Sequence, residues 1–330
     1  MTRPSRLSAT RGAFGAVVAL ALATLTGCGA DAATRAAAAP APVSTPQVTG
    51  DLTGLHLPIE SYMLTPLETV QRQWLTQAGI RSCLARFGFA YPDPGPRPTA
   101  DSPALAAESL LARRYGVIDP GLVRRWGYHA PQQDAPPKGA AGGMVLLADL
   151  SAPEQVVLTG YDPATRGPAG TYKGTAVPAQ GCRGEADRAL GEQTDGTTAG
   201  GRQRAVNSVD GLVEQLKAAS FTASMADPRV VAVFRSWSSC MARAGYRETN
   251  PMLAPELFPP TPTPTKAEIS AAETDVACKA RTNLAGVWFA VESAYQNAAI
   301  AQHAGELAEV KASLTGEVTD LHARLARTPA

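Results

Sequence analysis

Charge, aromatic rings and catalytic signatures are what this 330-residue chain has least of. Charged residues make up 18% and aromatic residues 6%. Lys and Arg number 30 against 29 Asp and Glu, so no excess of positive charge is available to hold nucleic acid. Apolar residues reach 45%, which excludes a charge-rich disordered chain. One long apolar run is present, which excludes a multi-span channel. The four histidines, His56, His129, His303 and His322, are scattered. There is no His-Glu-x-x-His, Gly-x-Ser-x-Gly, Ser-x-x-Lys or Cys-x-x-Cys. Neither a metal, a cofactor nor a catalytic residue is expected. The 30 Gly and 27 Pro, set among many Ala, point to a helical fold cut by loops.

The N-terminus is more informative. Arg3, Arg6 and Arg11 form a basic region, and an apolar run from Ala13 to Leu25 follows. A spanning helix needs about 20 residues, so this run reads as the core of an export signal over residues 1–27. It ends in Leu25-Thr26-Gly27-Cys28, which resembles the lipobox of bacterial lipoprotein precursors. The resemblance implies that Cys28 is acylated, with palmitate-type chains, and becomes the first residue of the mature protein. The bilayer is then a partner, on the extracytoplasmic face of the cell membrane. Three of the 30 basic residues leave with the signal, so the mature chain has 27 against 29 acidic ones, net −2. Residues 28–55 are expected to be the lipid anchor and a flexible Ala/Pro linker.

Without Cys28, four cysteines remain: Cys83, Cys182, Cys240 and Cys278. An even count in an exported chain indicates disulfides, with three pairings open. A weak internal repeat selects among them. Cys83-Leu-Ala-Arg-Phe-Gly-Phe matches Cys240-Met-Ala-Arg-Ala-Gly-Tyr, and a Pro-rich loop follows each. Each unit then has one downstream Cys beside a basic residue, Cys182-Arg183 and Cys278-Lys279. One bridge per unit gives Cys83–Cys182 and Cys240–Cys278. Two helical units are accordingly expected, at 56–200 and 201–330.

Local signals place the helices. Thr65-Pro66 starts one that runs to Ala85, with Gly88 beyond its end. Ser102-Pro103 opens a helix expected to reach Tyr115, and Asp119-Pro120 opens a short one closed by Gly127. Ser151 with Glu154 and Thr265 with Glu268 form capping boxes. The Gly/Pro/Thr-rich stretch 161–181 suits a small hairpin. Asp227-Pro228 opens a helix with Val230, Val231, Phe234, Trp237 and Met241 inward. From Glu268 no proline occurs until Pro329, so a long C-terminal helix is expected, with Gly286, Gly305 and Gly316 as weak points.

Two features are candidates for binding. Arg113-Arg114-Tyr115-Gly116 is echoed by Arg124-Arg125-Trp126-Gly127-Tyr128-His129. Basic residues beside aromatic ones suit an anionic wall polymer, with Arg113, Arg114, Tyr115, Arg125, Trp126, Tyr128 and His129 as contacts. The plainer alternative makes the arginines helix-end charges and the rings core. The second feature is a heptad stripe, Ile300, Leu307, Leu314 and Leu321 with Ala304, Lys311, Val318 and Leu325 between. It suits a coiled coil, as self-association or an envelope-protein contact, or packing on the chain's own helices.

The lipobox, Cys83-Leu84-x-x-Phe87-Gly88, Arg113-Arg114-Tyr115-Gly116, Gly127-Tyr128-His129, Gly181-Cys182-x-Gly184-Glu185-Ala186 and Trp237-x-x-Cys240-Met241 also resemble, as a set, a group of Ala-rich exported lipoproteins of high-GC Gram-positive bacteria. The resemblance implies export and anchoring and supplies no catalytic residue. The expectation is a mainly α, disulfide-stapled ectodomain with Pro/Gly-rich loops. Its role would be a non-enzymatic cell-envelope binding or scaffolding protein. A wall-active enzyme with a dispersed site is the alternative. A ligand-capturing transporter component ranks below both, since alternating strands and helices are lacking.

Overall fold

Most helix signals in the sequence are realised as helix starts in the structure, a computed structural model that describes residues 40–41, 44–131, 147–191 and 209–328. The expected signal segment at 1–27, Cys28 and most of the polar linker at 191–204 lie outside the described residues. Those described belong to one compact unit, Ala39–Ala330.

Helix α1 spans Pro66–Arg86. The Thr65 hydroxyl accepts from Glu68 N, and the Glu68 carboxylate accepts from Thr65 N, so two free donors of the first turn are satisfied together. Helix α2 is only Leu105–Glu108. The longer helix expected to Tyr115 does not form, because Ser109 turns extended and Arg113 is left-handed at φ 58°. Helix α3 is Pro120–Trp126, with the Asp119 carboxylate accepting from Gly121 N and Leu122 N. Helix α4 is Ala152–Thr159. Two minimal hairpins follow: β1 (Tyr161–Asp162) pairs antiparallel with β2 (Gly167–Pro168), and β3 (Thr171–Tyr172) with β4 (Thr175–Ala176). Helices α5 (Gly181–Ala189), α6 (Val209–Ala226) and α7 (Pro228–Arg243) come next.

The C-terminal region is three helices: α8 (Lys266–Thr282), α9 (Leu284–Gln302) and α10 (Ala304–Arg327). The breaks fall at Asn283, which is left-handed at φ 52°, and at His303, not at the three glycines. Gly316 is carried inside α10. The long C-terminal helix is therefore α10, of 24 residues.

Both disulfides pair as the repeat indicates, Cys83–Cys182 and Cys240–Cys278. The repeat is also structural. Phe89 N donates to Leu84 O at 3.1 Å, and Tyr246 N donates to Met241 O at 3.1 Å. Gly88 and Gly245 take φ +79° and +90° between them, the left-handed turn that closes a helix.

Three clusters hold the fold. The main one gathers Leu57, Ile59, Leu111, Tyr115 and Tyr128 from the N-terminal half with Val213, Phe234, Trp237, Trp288 and Leu307 from the C-terminal half. The segments before and after residue 200 thus share a core. A smaller cluster of Ile80, Leu84, Phe87, Val157 and Leu158 surrounds Cys83–Cys182. Trp74 and Leu75 pack on Leu321 and Leu325 in the third. Part of the expected linker is also packed: Val48 is buried, and its N–H donates to the Asn283 side chain at 2.9 Å. An apolar Val that reaches a helix-break amide gains more from docking than a free tether offers.

Candidate functional site

The Arg113–His129 region was the strongest binding candidate in the sequence, and its residues part ways in the structure. Arg114 is turned inward. Its Nε donates to Glu292 Oε1 and Oε2 at 2.9 and 3.0 Å, and its Nη2 to Lys217 O at 3.1 Å. The guanidinium lies over the Phe221 ring, 4.7 Å from the centroid. Tyr115 is fully buried, and its hydroxyl donates to Glu292 Oε2 at 3.0 Å. Burial, reinforced by the Glu292 charge, pushes the Tyr115 phenol well above its ordinary value. Gln296 Nε2 completes the set by donating to Glu292 Oε1 at 3.1 Å. Glu292 therefore has an arginine, a phenol and an amide around a carboxylate that sees no solvent.

A second buried network lies on α8. Lys279 Nζ donates to Asp275 Oδ2 at 2.9 Å and to Val117 O at 3.0 Å. Trp237 Nε1 donates to Asp275 Oδ1 at 2.8 Å. Burial pushes the Asp275 carboxyl up, and the Lys279 ammonium opposes it. Gly116 fits here because a Cβ would come within 2.7 Å of Lys279 Nζ. Tyr128 is buried, its ring 6.3 Å from Phe258, and burial with the nearby Asp275 charge raises its phenol.

The backbone of residues 128–129 is clamped from two sides. Arg113 donates to Tyr128 O at 2.7 Å and also to His129 O. Glu268 Oε1 accepts from Tyr128 N at 3.0 Å, and Glu268 Oε2 stands 3.4 Å from His129 Nε2. Arg114, Tyr115 and Tyr128 thus serve the core, and Arg113 and His129 hold a loop. Arg125 remains at the surface, stacked on Trp126 with its guanidinium 4.7 Å from the ring centroid. Leu122, one turn earlier, is 45% exposed.

The partners Glu292, Gln296 and Asp275 were not singled out from sequence, and Lys279 only as the basic neighbour of Cys278. A signal existed for one of them: Glu292 is the lone charge in the apolar stretch from Leu284 to Ala299. Such a residue in a buried helix calls for a cation. The C-terminal stripe is largely used internally: Leu307, Leu321 and Leu325 are buried, and Lys311 reaches Ser61 O.

A groove of about 430 Å³ lies between α7 and α8, lined by Arg243, Ser270, Glu273, Arg281 and both cysteines of the second disulfide. Among the described residues no group of three His, Cys, Asp or Glu could hold a metal ion, and no helix is long and apolar enough to cross a membrane. Comparison with protein-family models, with curated proteins and with solved structures finds no match to this chain.

Proposed function

We propose that this chain is a lipid-anchored extracytoplasmic protein whose helical body is a non-enzymatic binding or scaffolding component of the cell envelope. One observation carries the reading. A signal ending in Leu25-Thr26-Gly27-Cys28 precedes a body in which the four remaining cysteines pair as two disulfides. Disulfides persist in oxidising compartments, so the body suits the destination that the signal names. Two acyl chains on Cys28 give a stable membrane hold, where one alone gives marginal binding.

Within that reading the partner is an anionic wall polymer, met by the exposed end of α3. Arg125 is fixed against Trp126, Arg124 is exposed beside it, and Leu122 adds apolar contact at helical spacing. A guanidinium held on a ring loses little freedom on meeting phosphate or carboxylate. Cell fractionation tests the anchor. The native protein is expected in the membrane fraction carrying metabolically incorporated acyl label, and Cys28→Ala without that label. Acyl label on the variant, or none on the native protein, contradicts the reading. Co-sedimentation with purified wall tests the partner, with Arg124→Ala/Arg125→Ala expected to lose binding and Arg113→Ala to keep it.

A further inference from the structure

The groove between α7 and α8 has no part in the binding role above. We infer that Cys240–Cys278 is a thiol–disulfide exchange site for a small carboxylate-bearing thiol, while Cys83–Cys182 is a fixed staple.

Access comes first. Cys240 and Cys278 both line the groove, at 4% and 2% exposure, so a solute entering it reaches the edge of the bridge. Arg243 and Arg281 line the same groove against one acid, Glu273, which leaves its walls net positive. An anionic thiol is drawn to such a groove and a cationic one is repelled.

Chemistry comes second. Arg281 Nη1 donates to Cys240 Sγ at 3.4 Å. A cation beside one sulfur favours its thiolate and makes it the better leaving group. The same contact occurs at the other bridge, where Arg86 Nη2 donates to Cys83 Sγ at 3.2 Å. There the guanidinium is already held by Glu185, at 2.8 and 2.6 Å to its two oxygens, and that carboxylate offsets its charge. Exposure alone separates the two bridges little, at 1% and 0% for Cys83 and Cys182 against 4% and 2% for Cys240 and Cys278; the groove and the uncompensated guanidinium make the difference.

The exchange runs as follows. The incoming thiolate attacks Cys278 Sγ and forms a mixed disulfide there. The Cys278–Cys240 bond breaks, and Cys240 leaves as a thiolate beside Arg281. A second thiol, as thiolate, attacks the external sulfur of the mixed disulfide and releases Cys278. Two small thiols are oxidised to one disulfide, and the protein disulfide is reduced to two thiols, with protons taken from solvent. Reduction unties α7 from α8 one residue before Lys279, which anchors the buried Asp275 network.

The test treats the folded full-length protein with glutathione, traps thiols by alkylation and maps them. Cys240 and Cys278 are expected to react about tenfold sooner than Cys83 and Cys182, with glutathione captured on Cys278. Cysteamine, a cationic thiol, is expected to lose most of that selectivity. Arg281→Gln is expected to slow the Cys240–Cys278 reaction about tenfold, and Arg281→Lys to restore it in large part. Reduction of both bridges together at the rate of unfolding overturns the proposal, as does equal selectivity for the two probes. The comparison of probes on the native protein stands even if Arg281→Gln does not fold.

Discussion

At the residue scale the defining feature is buried charge satisfied from several sides. Asp275 and Lys279 sit one turn apart on α8, at 0% and 2% exposure, and each has further partners in Trp237 and Val117. Desolvation of such a pair offsets much of its attraction, but removal of one partner leaves a bare charge. Lys279→Met alone is therefore expected to cost about 3–5 kcal/mol in denaturant unfolding, and Asp275→Leu/Lys279→Met far less. A double variant as unstable as the single one would deny the coupling. Asp227 supplies the pH dependence. It caps α7, pairs with Arg229 at 2.8 Å and accepts from Tyr295 at 3.2 Å. The Arg229 bond holds its carboxyl below the ordinary 3.8. A depressed carboxyl contributes stability that is full above its unfolded value and is lost as pH falls through the folded one. Unfolding followed from pH 6 to below 3.8 is expected to lose that contribution, and Asp227→Asn to flatten the slope.

At the element scale the helices were legible because their ends are written in local chemistry. Thr65-Pro66, Asp119-Pro120, Ser151/Glu154, Asp227-Pro228 and Thr265/Glu268 all start helices where the sequence places them. The stops were less legible. Asn283 ends α8 by adopting a left-handed backbone, and its side chain then grips the N-terminal segment, donating to Pro46 O at 3.0 Å. That is a tertiary contact across more than 200 residues, which no local pattern carries. Gly286, read as a weak point, instead lets Pro46 pass: a Cβ would lie 2.0 Å from Pro46 O. Gly286→Ala is expected to displace residues 44–48 at a cost of about 1–3 kcal/mol, seen as faster proteolysis there and a lower Tm. An unchanged cleavage pattern would show that the segment is not held by this crossing. Removal of the Cys83–Cys182 bridge by double Ser substitution is expected to cost about 2–4 kcal/mol.

At the scale of the whole molecule, the basic-aromatic pairs, open in the sequence to a binding or a core reading, are divided between core and exterior. Arg114 and Tyr115 belong to Glu292, 177 or more residues away, whereas Arg125 stays outside on the half-buried Trp126. Sequence proximity joined them, and burial separated them. The disulfide pairing was legible because the repeat carries it, and the shared core was not, because nothing local links Leu57 or Tyr115 to Trp288. The account rests on an exported, acylated and oxidised chain. Intact-mass analysis of the protein extracted from membranes tests all three properties at once. The expected mass is that of residues 28–330 with an acylated Cys28 and four fewer hydrogens for two disulfides. A chain that retains Met1, or an unmodified Cys28 with four free thiols, would contradict it.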